Sequence, residues 1–377
     1  MVADCLTQLQ VNRPALSQLP SVENLKRAVR TSRKTDLPRV KDPETRLHFL
    51  LPDFCKTLSN DVPFLLHDSG PGENRIIMFG TSDNLQVLRK SPHWFADGTF
   101  KHSPRSFAQI YTLHALQNCR CLPLVYCLLP NKTRTTYDEV LNILLRLQPN
   151  LNPITVMTDY EQGMQAAFQY RFPNVQLRGC LFHFNQCIYR SIQDNGYKRV
   201  YDTDSEFALT MRFLSALAFV PTPDVVHTFE YLQSINHFPD YVSDVVEYFE
   251  DNWIGQPRRR TRKQPLHPIA LWNQYDATLE GLPRTNNAVE GWHRGFDALT
   301  TRYHHSLWEV IENFKREQAL TETTLEQDCS GGPPPPKKRR IITAQDRLVS
   351  VVLQYEEKNE ADDLEEYLKG VAHNLKY

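Results

Sequence analysis

The chain has 377 residues, 41% hydrophobic and 23% charged, an ordinary globular composition. No apolar run approaches the roughly 20 residues a membrane span needs, and Met1-Val2-Ala3-Asp4-Cys5 lacks the basic-then-apolar order of a secretory leader, so neither is expected. The formal net charge of −1 gives no support to nucleic-acid binding as a bulk property.

Residues 1–45 are polar and basic with scattered prolines and read as an arm. The stretch that follows, to about Leu66, reads as an amphipathic helix on Phe49, Leu50, Phe54 and Leu58. After the turn signals Ser69-Gly70-Pro71-Gly72, the run Arg75–Gly80 predicts a short buried strand, and Ser82-Asp83-Asn84 predicts the start of a helix through Lys90. Three strand segments follow closely, His93–Phe100, Phe107–Leu116 and Leu122–Leu129, and their tight spacing predicts an antiparallel meander. Thr135–Leu147 has helical spacing through Tyr137, Val140, Leu141, Leu144 and Leu147. Pro153–Asp159 is apolar enough for a central parallel strand, Glu161–Tyr170 is helical, Val175–Arg178 is strand-like, and Cys180–Gln193 is helical.

The order β-β-β-α-β-α-β-α is that of an α/β, ribonuclease H-like fold, a mixed five-stranded sheet with flanking helices. Its first strand is central and the strand after the first helix lies beside it, which makes Asp97 and Asp159 neighbours. Residues 203–255 carry only helical periodicity and read as an all-α insertion. Helices are expected at Asn287–Leu299 and Ser306–Thr324, then the linker Ser330–Pro336, then one polar, acidic helix from about Thr343. The expected segments are an N-terminal arm (1–63), a core with the first two acids (64–200), the helical insertion (201–265), core C-terminal helices with a third acid (266–328), a Pro-rich basic linker (329–342) and a C-terminal helix (343–377).

Three acidic residues stand in distinctive settings. Asp97 lies in Trp94-Phe95-Ala96-Asp97-Gly98-Thr99-Phe100, Asp159 ends Ile154-Thr155-Val156-Met157-Thr158-Asp159, and Glu290 lies in Thr285-Asn286-Asn287-Ala288-Val289-Glu290-Gly291-Trp292-His293. Each has a plain structural reading. Asp97-Gly98 is a hairpin signal, Asp159 is placed to cap a helix, and Asn287 with Glu290 has capping-box spacing. Together, two strand-end acids and a later helical one suit two divalent ions about 4 Å apart, the arrangement that cuts and joins nucleic-acid backbones. Hard oxygen ligands select Mg²⁺ or Mn²⁺.

Cys180 and His183 share a helix face at i, i+3, as two ligands of one ion or as a packed pair. His293, three residues after Glu290, is placed to support the acids or meet a phosphate. The eight cysteines form no C-x-x-C pair, so reduced thiols are expected. Positive charge is concentrated at Lys26, Arg27, Arg30, Arg33 and Lys34 and again at Arg258, Arg259, Arg260, Arg262 and Lys263. These runs read as phosphate contacts or as solvated surface. Lys337-Lys338-Arg339-Arg340, after four prolines, reads as a nuclear localisation patch or as a solvated linker.

The three acidic motifs, with Met157-Thr158-Asp159-Tyr160-Glu161 and Gly179-Cys180-Leu181-Phe182-His183-Phe184, resemble the Mutator-like element (MULE) transposases and the related animal proteins often found with FLYWCH-type zinc fingers. The resemblance runs from about Phe64 to Leu299. It implies a DDE catalytic domain with Asp97, Asp159 and Glu290 as its acids, and Cys180 and His183 as the family's C-x-x-H pair. Animal members often carry an N-terminal zinc module, whereas only Cys5 and Cys55 precede the core here, without ligand spacing. The expectation is a nuclear, metal-dependent DNA transposase domain, active or domesticated, with DNA and further copies of itself as partners and no membrane. The alternatives are a non-catalytic DNA- or chromatin-binding regulator and a host ribonuclease H-like nuclease.

Overall fold

The computed structural model describes residues 41–101, 103–259, 261–299, 306–331, 333, 339–360 and 363–375. The basic residues Lys26 to Lys34, Arg260, Lys337 and Lys338 lie outside them.

Seven strands form one mixed sheet: β1 (Leu65–Asp68), β2 (Ile77–Phe79), β3 (His93–Thr99), β4 (Gln109–Gln117), β5 (Arg120–Leu129), β6 (Thr155–Thr158) and β7 (Gln176–Gly179), in the order β1-β2-β5-β4-β3-β6-β7. β3, β4 and β5 are the expected antiparallel meander, and β6 runs parallel to β3. The two residues between β4 and β5, Asn118 and Cys119, both have positive φ, 45° and 61°, as a two-residue type I′ hairpin requires. Pro123 cannot donate to the ladder, and the pairing shifts register beside its partner His114.

Among the described residues the expected five strands are thus corrected to seven. β2 pairs antiparallel with β5, Ile77–Phe79 against Leu128–Tyr126, and β1 pairs with β2. The helix expected up to Leu66 is absent. One 3₁₀ turn, Asp53–Cys55, and a bridge between Thr57 and Pro63 precede β1.

The helices are α1 (Ser82–Lys90), α2 (Arg134–Leu147), α3 (Gln162–Arg171), α4 (Leu181–Asp194), α5 (Lys198–Thr203), α6 (Ser205–Ala216), α7 (Val225–Ser234), α8 (Ser243–Phe249), α9 (Ile269–Trp272), α10 (Tyr275–Leu279), α11 (Asn287–Leu299), α12 (Leu307–Cys329), α13 (Arg339–Val352), α14 (Tyr355–Glu360) and α15 (Leu364–Asn374). The single helix expected after Thr343 is therefore three, and Arg339 and Arg340, read as part of an exposed linker, open α13.

The chain divides into two units. One runs to Gln176 and resumes at Asn287–Pro335, and the other comprises Leu177–Asn286 and Pro336–Tyr377. In the first, α11 and α12 bring Trp292, Phe296, Trp308 and Phe314 onto Phe64, Phe79 and Tyr126. In the second, Phe184 stacks on Trp272 at 4.9 Å and meets Trp253 edge-on at 4.8 Å. Contacts of this size and burial are where the hydrophobic stabilisation of each unit resides.

Candidate acidic site

Asp97 sits near the end of β3, buried at 7% exposure among Trp94, Phe95 and Ala96. A carboxylate removed from water needs compensating donors. The backbone N–H of Gly98 donates to its Oδ1 at 2.8 Å, and His293 Nε2 stands 3.1 Å from its Oδ2.

β3 and β6 pair in parallel as His93 with Thr155, Trp94 with Val156 and Phe95 with Met157, and Asp97 and Asp159 share the same offset of 62 residues. The pairing ends at Phe95 with Met157, and each stands two residues before an aspartate, Asp97 within β3 and Asp159 just beyond β6. Gln165 in α3 donates to the backbone carbonyl of Asp159 at 2.9 Å, which fixes the turn that leaves the strand.

The third acid arrives on α11. Val289, Trp292 and Phe296 form its buried stripe at helical spacing. Val289 packs on Phe95 of β3 and Met157 of β6, the neighbours in sequence of both aspartates. Glu290 is in the first turn of this helix, and His293 follows one turn later on the same face. Around the ends of β3 and β6 stand Asp97, Asp159 and, in contact with Asp97, His293, while Glu290 lies one turn before His293 on α11.

Glu161 joins them. It closes the motif Met157-Thr158-Asp159-Tyr160-Glu161. Its carboxyl is raised above the ordinary value by burial, opposed by a hydrogen bond from Tyr137 and the charge of Lys132, and raised further by the charges of Asp159 and Asp97. Tyr137 Oη donates to Glu161 Oε1 at 3.2 Å and accepts from Gln109 Nε2 at 2.8 Å. No spacing signal links Glu161 to a tyrosine on α2 and a glutamine on β4, because the fold alone joins them.

The other expected residues fall in the second unit. Cys180 is fully buried at the start of α4, where its thiol donates to Asn286 Oδ1 at 3.0 Å. Burial and this hydrogen bond tie it to the residue directly before α11. His183 is half-buried, with its ring edge-on to Phe182 at 5.3 Å. The basic loop is a small hairpin closed by a Pro257–Arg262 bridge. Arg258, Arg259 and Lys263 are exposed, but Arg262 is committed to Glu230 at 2.6 Å and Glu250 at 2.7 Å. Reading Arg262 as a phosphate contact is therefore corrected: a guanidinium held between two carboxylates has its donors satisfied within the protein.

The donor chemistry, carboxylates with a hydrogen-bonded histidine behind one of them, suits a hard divalent ion. As the side chains stand, the described residues include no group of three His, Cys, Asp or Glu that could hold one. Among the described residues, no helix is long and apolar enough to cross a membrane. A search of curated proteins returns no match for the chain. Residues 93–187, from the start of β3 into α4 and including Asp97, Asp159, Cys180 and His183, match the family model for the MULE transposase domain, which suggests a transposase-related function and implies interaction with DNA.

Proposed function

We propose that this chain is a DDE-type DNA strand transferase built on a ribonuclease H-like sheet, of the animal MULE type. Asp97, Asp159 and Glu290 are its catalytic acids and the holders of two Mg²⁺ or Mn²⁺ ions. The observation that supports the reading is the parallel β3–β6 pairing, in which Phe95 and Met157, each two residues before an aspartate, meet Val289 of the helix that bears Glu290. Bound ions would supply an activated attacking oxygen and stabilise the leaving one. The chain's own residues prepare the site: Gly98 and His293 hold the Asp97 carboxylate, and Tyr137 with Gln109 holds Glu161. Arg258, Arg259 and Lys263, with the N-terminal basic segment, contact DNA phosphates, and Lys337 to Arg340 direct the chain to the nucleus.

The test is cleavage of end-labelled DNA with Mg²⁺ or Mn²⁺. Cleavage that leaves a 3′ hydroxyl, joins it to a second duplex, and is lost in Asp97→Asn, Asp159→Asn and Glu290→Gln supports the reading. Cleavage that survives all three substitutions ends it. Cleavage without joining identifies a host nuclease. A second reading, a DNA- or chromatin-binding regulator that keeps the fold without the chemistry, is favoured by the absence among the described residues of a three-ligand group arranged for an ion. DNA binding with no cleavage in either metal selects it.

A further inference from the structure

We propose that Phe100, Lys132, Arg134, Tyr170 and Arg171 form a track that carries a nucleic-acid strand to the acidic site. The inference rests on the strand-transfer reading and adds where the strand runs.

The track starts at the acids. Phe100 directly follows β3, three residues after Asp97, and is 51% exposed. Lys132, on the loop between β5 and α2, places its Nζ 5.3 Å from the centroid of the Phe100 ring, and its charge reaches the Glu161 carboxyl. That loop lies against the start of α3: a Cβ on Gly163 would meet the backbone of Arg134 at 3.3 Å and of Lys132 at 3.5 Å. The guanidinium of Arg134 stands 5.8 Å from the ring of Tyr170 near the end of α3, and that of Arg171 stands 5.0 Å from the same ring. Tyr170 is 63% exposed. Two ring–cation groups, Phe100 with Lys132 and Tyr170 with Arg134 and Arg171, therefore lie along the β5–α2 loop and α3, beginning three residues from Asp97.

Each part suits a nucleic-acid strand. Exposed rings lose the hydrophobic gain of burial, and a base stacked on the ring face restores it in a sequence-tolerant way. The cations meet the phosphates between bases and offset the repulsion of the acids for the backbone. Solitary surface cation–ring pairs are commonplace; two such groups in succession, starting beside Asp97, set this one apart. Asp138 pairs with Arg134 at 3.6 Å and Arg171 at 3.9 Å, so one carboxylate serves two arginines and the strip stays positive. The basic hairpin at 257–263, by contrast, has Arg262 bound to Glu230 and Glu250.

The experiment is fluorescence anisotropy with fluorescein-labelled single-stranded and duplex oligonucleotides, using the full chain with Ca²⁺ in place of Mg²⁺, at several salt concentrations. Phe100→Leu with Tyr170→Leu should weaken single-strand binding by roughly tenfold or more without changing the salt slope, because stacking releases no counterions. Lys132→Ala with Arg134→Ala should lower the slope by about one to two, because fewer counterions are released. Circular dichroism and melting of each variant serve as folding controls, and all four side chains are at the surface. Unaltered affinity in both double variants, with binding lost instead in Arg258→Ala with Arg259→Ala, overturns the track and leaves the strand-transfer reading standing. Failure of the unaltered chain to bind DNA overturns both.

Discussion

Among the described residues two donors hold Asp97, and one of them, His293, can be removed without touching the backbone. His293→Ala should leave Asp97 Oδ2 without that partner at a buried position, which costs about 1–3 kcal/mol. The loss should be visible as a lower melting temperature in EDTA and should be partly reversed by Mn²⁺, because an ion that binds the folded site stabilises it by linkage. Equal melting of the variant and the parent in EDTA would show that His293 does not support Asp97. A second residue-scale outcome concerns protons. Burial holds His67, His114, His237 and His267 below the ordinary histidine value, with the charge of His293 adding to the effect at His114. The unfolded chain takes up these protons below about pH 6.5, whereas the folded chain resists until lower pH. Stability is therefore full above about pH 6.5 and falls as the pH drops toward the folded values, and His114, fully buried, contributes a slope of up to about 1.4 kcal/mol per pH unit. Urea denaturation of His114→Gln between about pH 7 and pH 5 should show a shallower decline than the parent; identical slopes would remove His114 as a source.

Among the elements, the 257–263 hairpin separates two roles that its arginines share in sequence. Arg262 is mostly buried and bridges Glu230 and Glu250, and Glu250 is itself 8% exposed. Arg262→Ala should cost about 2 kcal/mol of stability, since a charged hydrogen bond is lost and a buried carboxylate is left behind. Arg258→Ala with Arg259→Ala should leave melting unchanged while weakening DNA binding and lowering its salt slope. Gly255, which leads into the hairpin, has φ of 91° and no room for a Cβ, which would lie 1.9 Å from the carbonyl oxygen of Lys263. Gly255→Ala should therefore open the hairpin and release Arg262, with a stability loss at least as large as that of Arg262→Ala. The contrast shows what the sequence could carry. Strand ends and helix starts around Asp97, Asp159 and Glu290 were legible within a few residues, because turn residues, apolar runs and 3.6-residue spacing are local signals. The segment with Phe49, Phe54 and Leu58 imitated helical spacing. Its aromatic residues are in fact spaced to meet Trp308, with ring centroids 6.0 Å and 5.9 Å away, on a helix far along the chain. Likewise, nothing local told Arg262 from its exposed neighbours, because Glu230 and Glu250 reach it only through the fold.

For the molecule as a whole, the segment after the proline run is a structural part of the helical unit. Val352, Tyr355, Leu364, Tyr367, Leu368 and Val371 are buried, Tyr355 Oη donates to Asp224 Oδ2 at 3.0 Å, and Tyr367 Oη donates to the carbonyl of Phe219. Removing side chains of this kind from water stabilises by about 1.5–3 kcal/mol each before entropic costs. A chain ended before Arg339 should consequently lose the cooperative melting of this unit and aggregate through the apolar surface it uncovers. Truncation is for that reason an unsuitable test of the basic patch: it removes the proposed import signal and part of a core together. Point substitutions separate the two. Arg339 and Arg340 open α13, and cations in a first helical turn oppose the helix dipole, so alanine there does not weaken the helix. Replacing Lys337, Lys338, Arg339 and Arg340 with alanine should leave the melting temperature within about 2 °C of the parent, a change of less than about 0.5 kcal/mol. The same variant, tagged and imaged in cells, should spread through the cytoplasm where the parent concentrates in the nucleus. Nuclear accumulation that persists at unchanged melting assigns the patch to solvated surface, whereas exclusion from the nucleus without loss of stability assigns it to import.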